Sequence, residues 1–243
     1  MRKICLLLLI FSFFLGCSSE KKEVIKVGFD PEWTNLPLST QEKSNLNGFV
    51  EDLLLNISSL ANVNMEKVEE LYYNLNYGLD SKKLDIVFSF EKPYNFNEAK
   101  YSFSPIIFHP GMVLVVAKSS PYTKLQDLSG HILFYPEKNG AILLLQKYPD
   151  IIVKRYEVVA DAIGDVVNGI SDGVLVDHLV ALSFMKNLYV DDLKIIGPLE
   201  EDEGLRLLTS KENSNLNDLI SQILHKMDKT ELLLQLKRKW HLE

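Results

Sequence analysis

The chain of 243 residues carries a formal net charge of −7 at pH 7 and an ordinary share of hydrophobic residues. Its short basic run, Lys237-Arg238-Lys239, is typical of a solvated helix end, so the charge pattern argues against a nucleic-acid partner. After the amino-terminal segment no apolar run is long enough to span a bilayer, and the remaining length suffices for one large or two small α/β domains.

The amino terminus has the pattern of an export signal. Two basic residues precede an apolar run over residues 4–15 that is too short to span a bilayer, and small residues follow it. We predict that residues 1–17 form a lipoprotein signal region, with Cys17 lipidated as the first mature residue and residues 18–23 as a polar tether. Cys5 would leave with the signal peptide, so no disulfide would remain. The domain would be exported and membrane-anchored, facing the periplasm or the cell exterior, and an uncleaved anchor would place it on the same side.

The first predicted strand covers Val24–Phe29, where polar and apolar residues alternate. It delivers Asp30, Glu32 and Trp33 at its carboxyl end. Because ligands of open α/β sheets bind just beyond the carboxyl ends of strands, these three residues are candidates for ligand contact.

Gly48 opens a run with apolar side chains at helical spacing, which predicts the first packing helix. Glu51 and Asp52 would lie near the positive end of that helix, where acidic side chains are favourable. A weaker strand over residues 65–71 leads to Tyr72 and the aromatic residues that follow it.

Residues 85–89, Asp-Ile-Val-Phe-Ser, contain a short apolar run typical of a strand buried on both faces of a parallel sheet. The strand is predicted to end at Ser89. Residues 89–97 are therefore where this chain would place a ligand site, and they include Lys92 and Asn97.

The second half of the chain repeats this alternation of strands and helices. Strands are predicted over residues 111–118, 132–134, 151–156, 172–176 and 205–208, and helices over residues 160–168, 216–227 and 230–240. The last of these helices would be capped by Thr230. Asp177 directly follows a buried strand, which is the position of a ligand-binding residue, but an aspartate there could also cap a helix over residues 178–186.

The sequence contains no convincing enzymatic motif. Residues 169–173 spell Gly-x-Ser-x-Gly, but the predicted order of helix, turn and strand is the reverse of what a nucleophile elbow requires. The five histidines show no metal-binding spacing, and neither a Walker loop nor a dinucleotide fingerprint is present. The sequence therefore predicts no catalytic residues, no metal and no cofactor.

Several of these motifs together resemble the family 3 periplasmic solute-binding proteins, the amino-acid receptors of ABC importers. The matching residues are the Asp85 to Ser89 strand with Phe103-Ser104, the Gly-Phe-x-x-Asp-Leu run from Gly48, the Leu-x-Asp-Leu-x-Gly run from Leu125, and the closing Trp240. The resemblance covers nearly the whole mature chain.

The resemblance implies an α/β fold of two lobes, each an open, mostly parallel sheet flanked by helices, joined by a two-strand hinge. Lobe one would comprise residues 24–108 and 204–243, and lobe two residues 109–203. The ligand would lie between the lobes, and closure of the hinge would trap it.

The resemblance also assigns roles to site residues. Asp30 matches an acidic residue and Trp33 an aromatic residue after the first strand, and Tyr72 matches a second aromatic residue, so that Trp33 and Tyr72 would flank the ligand. Trp33 could instead pack the loop at the rim. Ser89 matches the end of the site strand, and Asp177 matches the carboxylate that takes the ligand's amino group.

Two departures concern the ligand's carboxylate. Asn97 occupies the position of the family's carboxylate-binding arginine, and an amide lacks the charge and the fork of a guanidinium. Glu137, Lys138 and Asn139 replace a Gly-Thr-Thr loop. A ligand carboxylate would then need Lys92 or Lys138 as its countercharge, although Lys92 could also be a solvated loop residue.

The expected function is that of the substrate-binding lipoprotein of an ABC importer, which binds a small polar solute such as an amino acid. Its partners would be that solute, the transporter permease and, through the lipid anchor, a membrane. Two alternatives stay open: an enzyme of the same fold that dehydrates cyclic carboxylic acids, with Glu137 as general acid, and a sensor or adhesive lipoprotein outside transport.

Overall fold

The computed structural model describes residues 24–34, 36, 38–137, 139–199 and 203–243. The predictions about the signal region, Cys17, the tether and Lys138 lie outside these residues. Within them, no helix is both long enough and apolar enough to cross a membrane.

Among the described residues, ten strands form two five-stranded sheets. The strands are β1 (Val24–Phe29), β2 (Asn64–Glu69), β3 (Ile86–Ser89), β4 (Tyr101–Phe103), β5 (Met112–Ala117), β6 (Ile132–Pro136), β7 (Ile152–Tyr156), β8 (Gly173–Asp177), β9 (Leu193–Ile196) and β10 (Arg206–Ser210). The first sheet has the order β2-β1-β3-β10-β4, and the second has the order β7-β6-β8-β5-β9. The chain therefore leaves the first sheet after β4 and returns to it as β10.

Each sheet has one reversed strand. In the first sheet β1 is parallel to β2 and β3, while β10 is antiparallel to both of its neighbours, β3 and β4. In the second sheet β6 is parallel to β7 and β8, while β5 is antiparallel to β8 and β9. The other strands of each sheet run in one direction, and the reversed strands, β5 and β10, are those that the chain enters after each crossing. This confirms the predicted mostly parallel, two-lobe α/β fold.

In the same part of the chain, eight α-helices flank the sheets. They are α1 (Thr40–Ala61), α2 (Tyr72–Asp80), α3 (Asn95–Glu98), α4 (Asn139–Leu145), α5 (Val159–Val167), α6 (His178–Asn187), α7 (Ser214–Lys229) and α8 (Leu232–Lys239). The largest hydrophobic core lies between the first sheet and helices α1, α7 and α8. Helix α6 lies between β8 and β9 of the second sheet in the chain, yet its Leu179 is buried in this core. The two halves are therefore in contact at α6.

Helix α1 begins earlier than predicted. It starts at Thr40 rather than Gly48, because Ser39 and Glu42 form a capping box across its first turn. Asp52 therefore lies in the middle of the helix, and the prediction that it stabilises the positive end is wrong. It instead accepts hydrogen bonds from Trp240 Nε1 at 2.7 Å and Lys239 Nζ at 2.5 Å. These contacts lower the pKa of the Asp52 carboxyl, the Lys239 hydrogen bond most of all.

The cap predicted for the last helix is also wrong. Thr230 ends α7, and its hydroxyl donates to the carbonyl of Lys226. Glu231 precedes α8 with a positive φ of 58° and no side-chain capping bond. The other predicted strands and helices are confirmed, with small shifts in their bounds.

Gly48→Ala is expected to destabilise the fold by about 1–3 kcal/mol, because it overpacks the contact between α1 and Trp240. A Cβ at Gly48 would lie 2.2 Å from the Trp240 ring. Gly164→Ala in α5 is the matched control, since the nearest atom would be 3.6 Å away and a helical alanine is favoured by about 1 kcal/mol. Urea unfolding of both variants measures the difference. Equal stability would show that the indole ring moves aside freely.

Candidate functional site

The candidate site is formed by the carboxyl ends of the strands in both sheets. On the first sheet, β1 ends before Asp30 and β3 ends at Ser89; on the second sheet, β8 ends at Asp177. Helix α6 begins directly after Asp177 and packs into the core of the first sheet. Residues at the end of β8 therefore lie close to the first half of the molecule.

Asp30 organises the loop after β1. It is 3% exposed, and its two carboxylate oxygens accept the backbone N–H groups of Glu32 at 3.0 Å and Thr34 at 2.8 Å. Glu32 points to solvent and pairs with Lys43 at 3.0 Å. Asp30 therefore stabilises the loop, and a ligand that bound to it would have to share carboxylate oxygens that already accept these hydrogen bonds.

Trp33 is buried rather than exposed to a ligand. Its side chain is 2% exposed, and its ring lies between Phe29 and Phe90, with centroids 6.3 and 6.1 Å away. The indole N–H donates to Asn47 Oδ1 at 2.8 Å, and the backbone φ of 49° is rare for a non-glycine residue. The ring has no exposed face in this conformation. We therefore correct the predicted stacking role to the alternative one, packing of the loop.

Tyr72 lies in the first turn of α2 and is half-buried. Burial raises the pKa of its hydroxyl, and the negative charge of Glu91 raises it further. Asn76, one turn along the helix, donates a hydrogen bond to Glu91 Oε1. The structure therefore places Tyr72 close to the loop after β3. Asn76 and Glu91 link the two elements, and neither was a predicted site residue.

The loop after β3 holds three predicted residues together. Ser89 is buried, and its hydroxyl accepts the N–H of Glu91 at 3.1 Å. The side-chain amide of Asn97 donates to the carbonyl of Lys92 at 3.0 Å, so Asn97 shapes the backbone of the loop. Lys92 is half-buried at this edge.

Arg206 is a further cation at this edge that sequence reasoning missed. It lies opposite Ser89 in the antiparallel pairing of β10 with β3, and its guanidinium donates to the carbonyl of Ser104 at 3.2 Å. Only the register of β10 brings it here, because more than a hundred residues separate it from Ser89.

On the second sheet, Asp177 ends β8 and makes no capping hydrogen bond to α6. The alternative role as a side-chain helix cap is therefore not observed. Burial raises the pKa of Tyr156 to about 12, and the negative charge of Asp177 acts in the same direction. Tyr156 ends β7, which β6 separates from β8 in the sheet, and its hydroxyl donates to the carbonyl of Leu175 at 3.1 Å.

Glu137 was the candidate general acid of the enzyme alternative. Its carboxylate is exposed and forms an ion pair with Arg155 at 2.7 Å, which is the setting of a solvated surface residue. The other loop residue named with it, Lys138, lies outside the described residues. Among the residues that the structure does describe, no group of three or more metal-ligating side chains is close enough to hold a metal ion.

His178 joins the two halves near the hinge. Its Nδ1 lies 2.7 Å from the carbonyl oxygen of His109, and its ring stacks on Phe108 with centroids 5.7 Å apart. His109 in turn lies 2.7 Å from the carbonyl of Glu203 in the returning segment. Burial lowers the pKa of the His178 imidazole, and this effect outweighs the hydrogen bond to the His109 carbonyl, which raises it.

The His178 contacts predict that stability decreases as the pH falls below 6.5. Because its pKa in the fold lies below the ordinary 6.5, the unfolded chain takes up a proton near pH 6.5 that the folded chain does not. Stability is therefore lost from that value down to the folded pKa, and this group contributes no pH dependence above it. His178→Gln should reduce the drop in melting temperature between about pH 7.5 and 5.5, and exposed His225→Gln should not. An identical drop in both variants would contradict the assignment.

Comparison with known proteins agrees with this geometry. The sequence profile of the bacterial extracellular solute-binding proteins, family 3, matches residues 25–243. The arginine-binding extracellular protein ArtP of Bacillus subtilis is 24% identical over 234 residues, which make up 93% of this chain and 88% of ArtP.

Solved structures share the fold at low identity. The L-cystine solute receptor of Neisseria gonorrhoeae, in its unliganded open conformation, has a TM-score of 0.68 at 17% identity, covering 91% of this chain and 93% of the receptor. The second substrate-binding domain of a putative amino acid ABC transporter from Streptococcus pneumoniae has a TM-score of 0.64 at 14% identity, covering 90% of this chain and all of that domain.

The profile spans both sheets and describes proteins that bind solutes. This confirms the prediction of a binding protein rather than an enzyme. The chain therefore belongs to the bacterial extracellular solute-binding proteins of family 3.

Proposed function

We propose that this protein is the membrane-anchored receptor of an ABC importer and binds an amino acid or a related small polar solute between its two lobes. The observation that carries the proposal is that polar side chains follow the strand ends of both sheets, with Tyr72 after β2, Ser89 and Lys92 at the end of β3, and Asp177 at the end of β8. The names of the relatives support the ligand class, since they include arginine-binding and L-cystine receptors.

The proposed mechanism is closure of a hinge. Lobe one would comprise residues 24–108 and 204–243, and lobe two residues 109–203. The two crossing segments pair through the bridge between Phe108 and Leu205, which would let the lobes rotate as units about one short connection. A ligand that contacts both lobes stabilises the closed state, which the transporter would recognise.

A thermal-shift screen of amino acids, short peptides and polyamines tests the binding function. Solution scattering then tests closure, because a saturating ligand should compact the molecule. Identical scattering with and without a saturating ligand would contradict the hinge. A screen in which no solute raises the melting temperature would contradict the receptor function itself.

The carboxylate of an amino-acid ligand would need a cation, because Asn97 carries none. Lys92 or Lys138 is proposed to supply it, since an unpaired buried anion is strongly unfavourable. Lys92→Ala and Lys138→Ala separate the two candidates by calorimetry. Unchanged affinity for a carboxylate ligand in both variants would exclude this compensation.

Lipid anchoring at Cys17 is the second part of the proposal, motivated by the export signal and the polar residues that follow it. Mass spectrometry of the native amino terminus tests it. Cys17→Ala should release soluble, folded protein. An unmodified Cys17, or cleavage at another residue, would exclude the lipoprotein.

A further inference from the structure

One of the two carboxylate oxygens of Glu91 is buried without a hydrogen-bond donor. Glu91 follows β3 by two residues and is half-buried at the ligand edge of the first sheet. Asn76 donates to its Oε1, whereas its Oε2 is buried and has no hydrogen-bond partner. A buried carboxylate oxygen without a donor is costly, so a donor that is present only at times would account for it.

Glu91 has no ion-pair partner among the described residues, although Lys92 and Arg206 lie at the same edge of the first sheet. None of the ion pairs among the described residues includes it. Burial raises the pKa of the Tyr72 hydroxyl, and the charge of Glu91 raises it further; for Tyr101 the charge of Glu91 comes after burial and the hydrogen bond and charge of Asp80. Asn97, further along the same loop, is neutral. The carboxylate of Glu91 therefore takes part in no ion pair among the described residues.

A purely structural role does not explain this charge. The contact with Asn76 uses one oxygen, and a glutamine could accept the same hydrogen bond without an unpaired anion. The charged oxygen is therefore the feature that needs an explanation, and a cation from outside the protein provides one.

We propose that Glu91 binds a cationic group of the ligand, an ammonium or a guanidinium, through its Oε2. This inference rests on the receptor function proposed above and specifies its ligand as an organic cation. Glu91 is half-buried, and binding in this way would require its side chain to turn Oε2 toward the ligand. The adjacent ring of Tyr72 suits the same ligand, since aromatic faces attract cations.

The test compares the wild type with Glu91→Gln, which keeps the size of the side chain and removes its charge. The control is Glu212→Gln, an exposed glutamate of the same half whose partner is Lys82 at 2.8 Å. Calorimetry is run with L-arginine, L-lysine, agmatine and putrescine as cations, and with L-glutamine and L-glutamate as the comparison. We expect at least one cation to bind the wild type, and Glu91→Gln to weaken it by about 30-fold or more, the usual effect of breaking a buried charge pair. Glu212→Gln should bind like the wild type.

Each outcome decides between the hypotheses. Equal affinity of a cation for the wild type and Glu91→Gln, or binding of glutamine or glutamate alone, would overturn this inference and leave the receptor function intact. Absence of binding by these six probes and by the whole thermal-shift screen would overturn both. If Glu91→Gln does not fold, Glu91→Asp replaces it, because aspartate keeps the charge on a side chain that is shorter by one methylene. The loss of affinity for the cation must then exceed any loss of affinity for glutamine. Comparison of arginine with agmatine shows separately whether the ligand's carboxylate contributes.

Discussion

Asp177→Asn is expected to weaken the binding of a ligand with an amino group by about 2–5 kcal/mol, the usual cost of breaking a buried charge pair. Asp177 ends β8, where the second sheet meets the first half of the molecule through α6. After the larger effect of burial, its negative charge contributes to the raised pKa of Tyr156, so the two side chains are close enough to interact electrostatically. Asparagine keeps the shape of the side chain, so the loss should come from the charge.

The matched control is Asp191→Asn. Asp191 belongs to the same half, and its exposed carboxylate pairs with Lys118 at 2.9 Å, so its neutralisation should change stability by no more than about 0.5 kcal/mol and leave affinity unchanged. Calorimetry with the ligand found in the screen measures both variants. Wild-type affinity in Asp177→Asn would remove Asp177 from the site and leave its position before α6 as its only assigned function.

Local sequence patterns predicted the strands and their ends. The strand β1 begins and ends as the alternation of Val24–Phe29 predicts, and β3 is buried along its whole length, as its apolar run predicts. Such patterns work because a side chain's burial in a sheet follows from its position along the strand. The ends of the strands then located Ser89 and Asp177 without any tertiary information.

The true start of helix α1 is marked in the sequence by a capping motif. Ser39 and Glu42 have the spacing of a capping box, and the structure begins the helix there. The apolar spacing is strongest after Gly48, and it therefore predicts a start that is too late. The polar first turns of α1 were thereby assigned to the loop after β1.

The environment of Glu91 could not be predicted from the sequence. An acid in a polar loop is usually solvated, and local patterns contain no hint that Asn76 and Tyr72 approach it. Its burial arises from the packing of α2 beside β3, which brings together residues that are fifteen or more positions apart. Arg206 is similar, because only the register of β10 places it opposite Ser89.

Trp33 shows how one residue type supports two opposite roles. An aromatic residue at the end of a strand suits a ligand wall as well as a buried rim, and the choice depends on partners that are distant in sequence. Phe90 packs against one side of its ring, and Asn47 accepts its indole N–H. With these partners the ring is enclosed, and its energetic contribution is to the fold.

Trp33→Ala is therefore expected to destabilise the protein by about 3–5 kcal/mol, the range for removing a large buried aromatic side chain. Its ring packs in the main hydrophobic core, and the substitution would leave a cavity between Phe29 and Phe90. Phe96→Ala is the control, because that ring is 69% exposed and its loss should cost less than about 0.5 kcal/mol. Urea unfolding measures both variants.

Fluorescence separates packing from ligand stacking. The chain has two tryptophans, so in a Trp240→Phe background the emission comes from Trp33 alone. A buried ring that packs the loop should emit in the blue and change little when ligand binds, whereas a ring that stacks on the ligand should be strongly altered. Because Trp33→Phe keeps an aromatic ring in the core, it should fold, and its affinity should match that of the wild type. A large loss of affinity in Trp33→Phe, with stability preserved, would return Trp33 to the ligand site and show that the loop after β1 opens around the ligand.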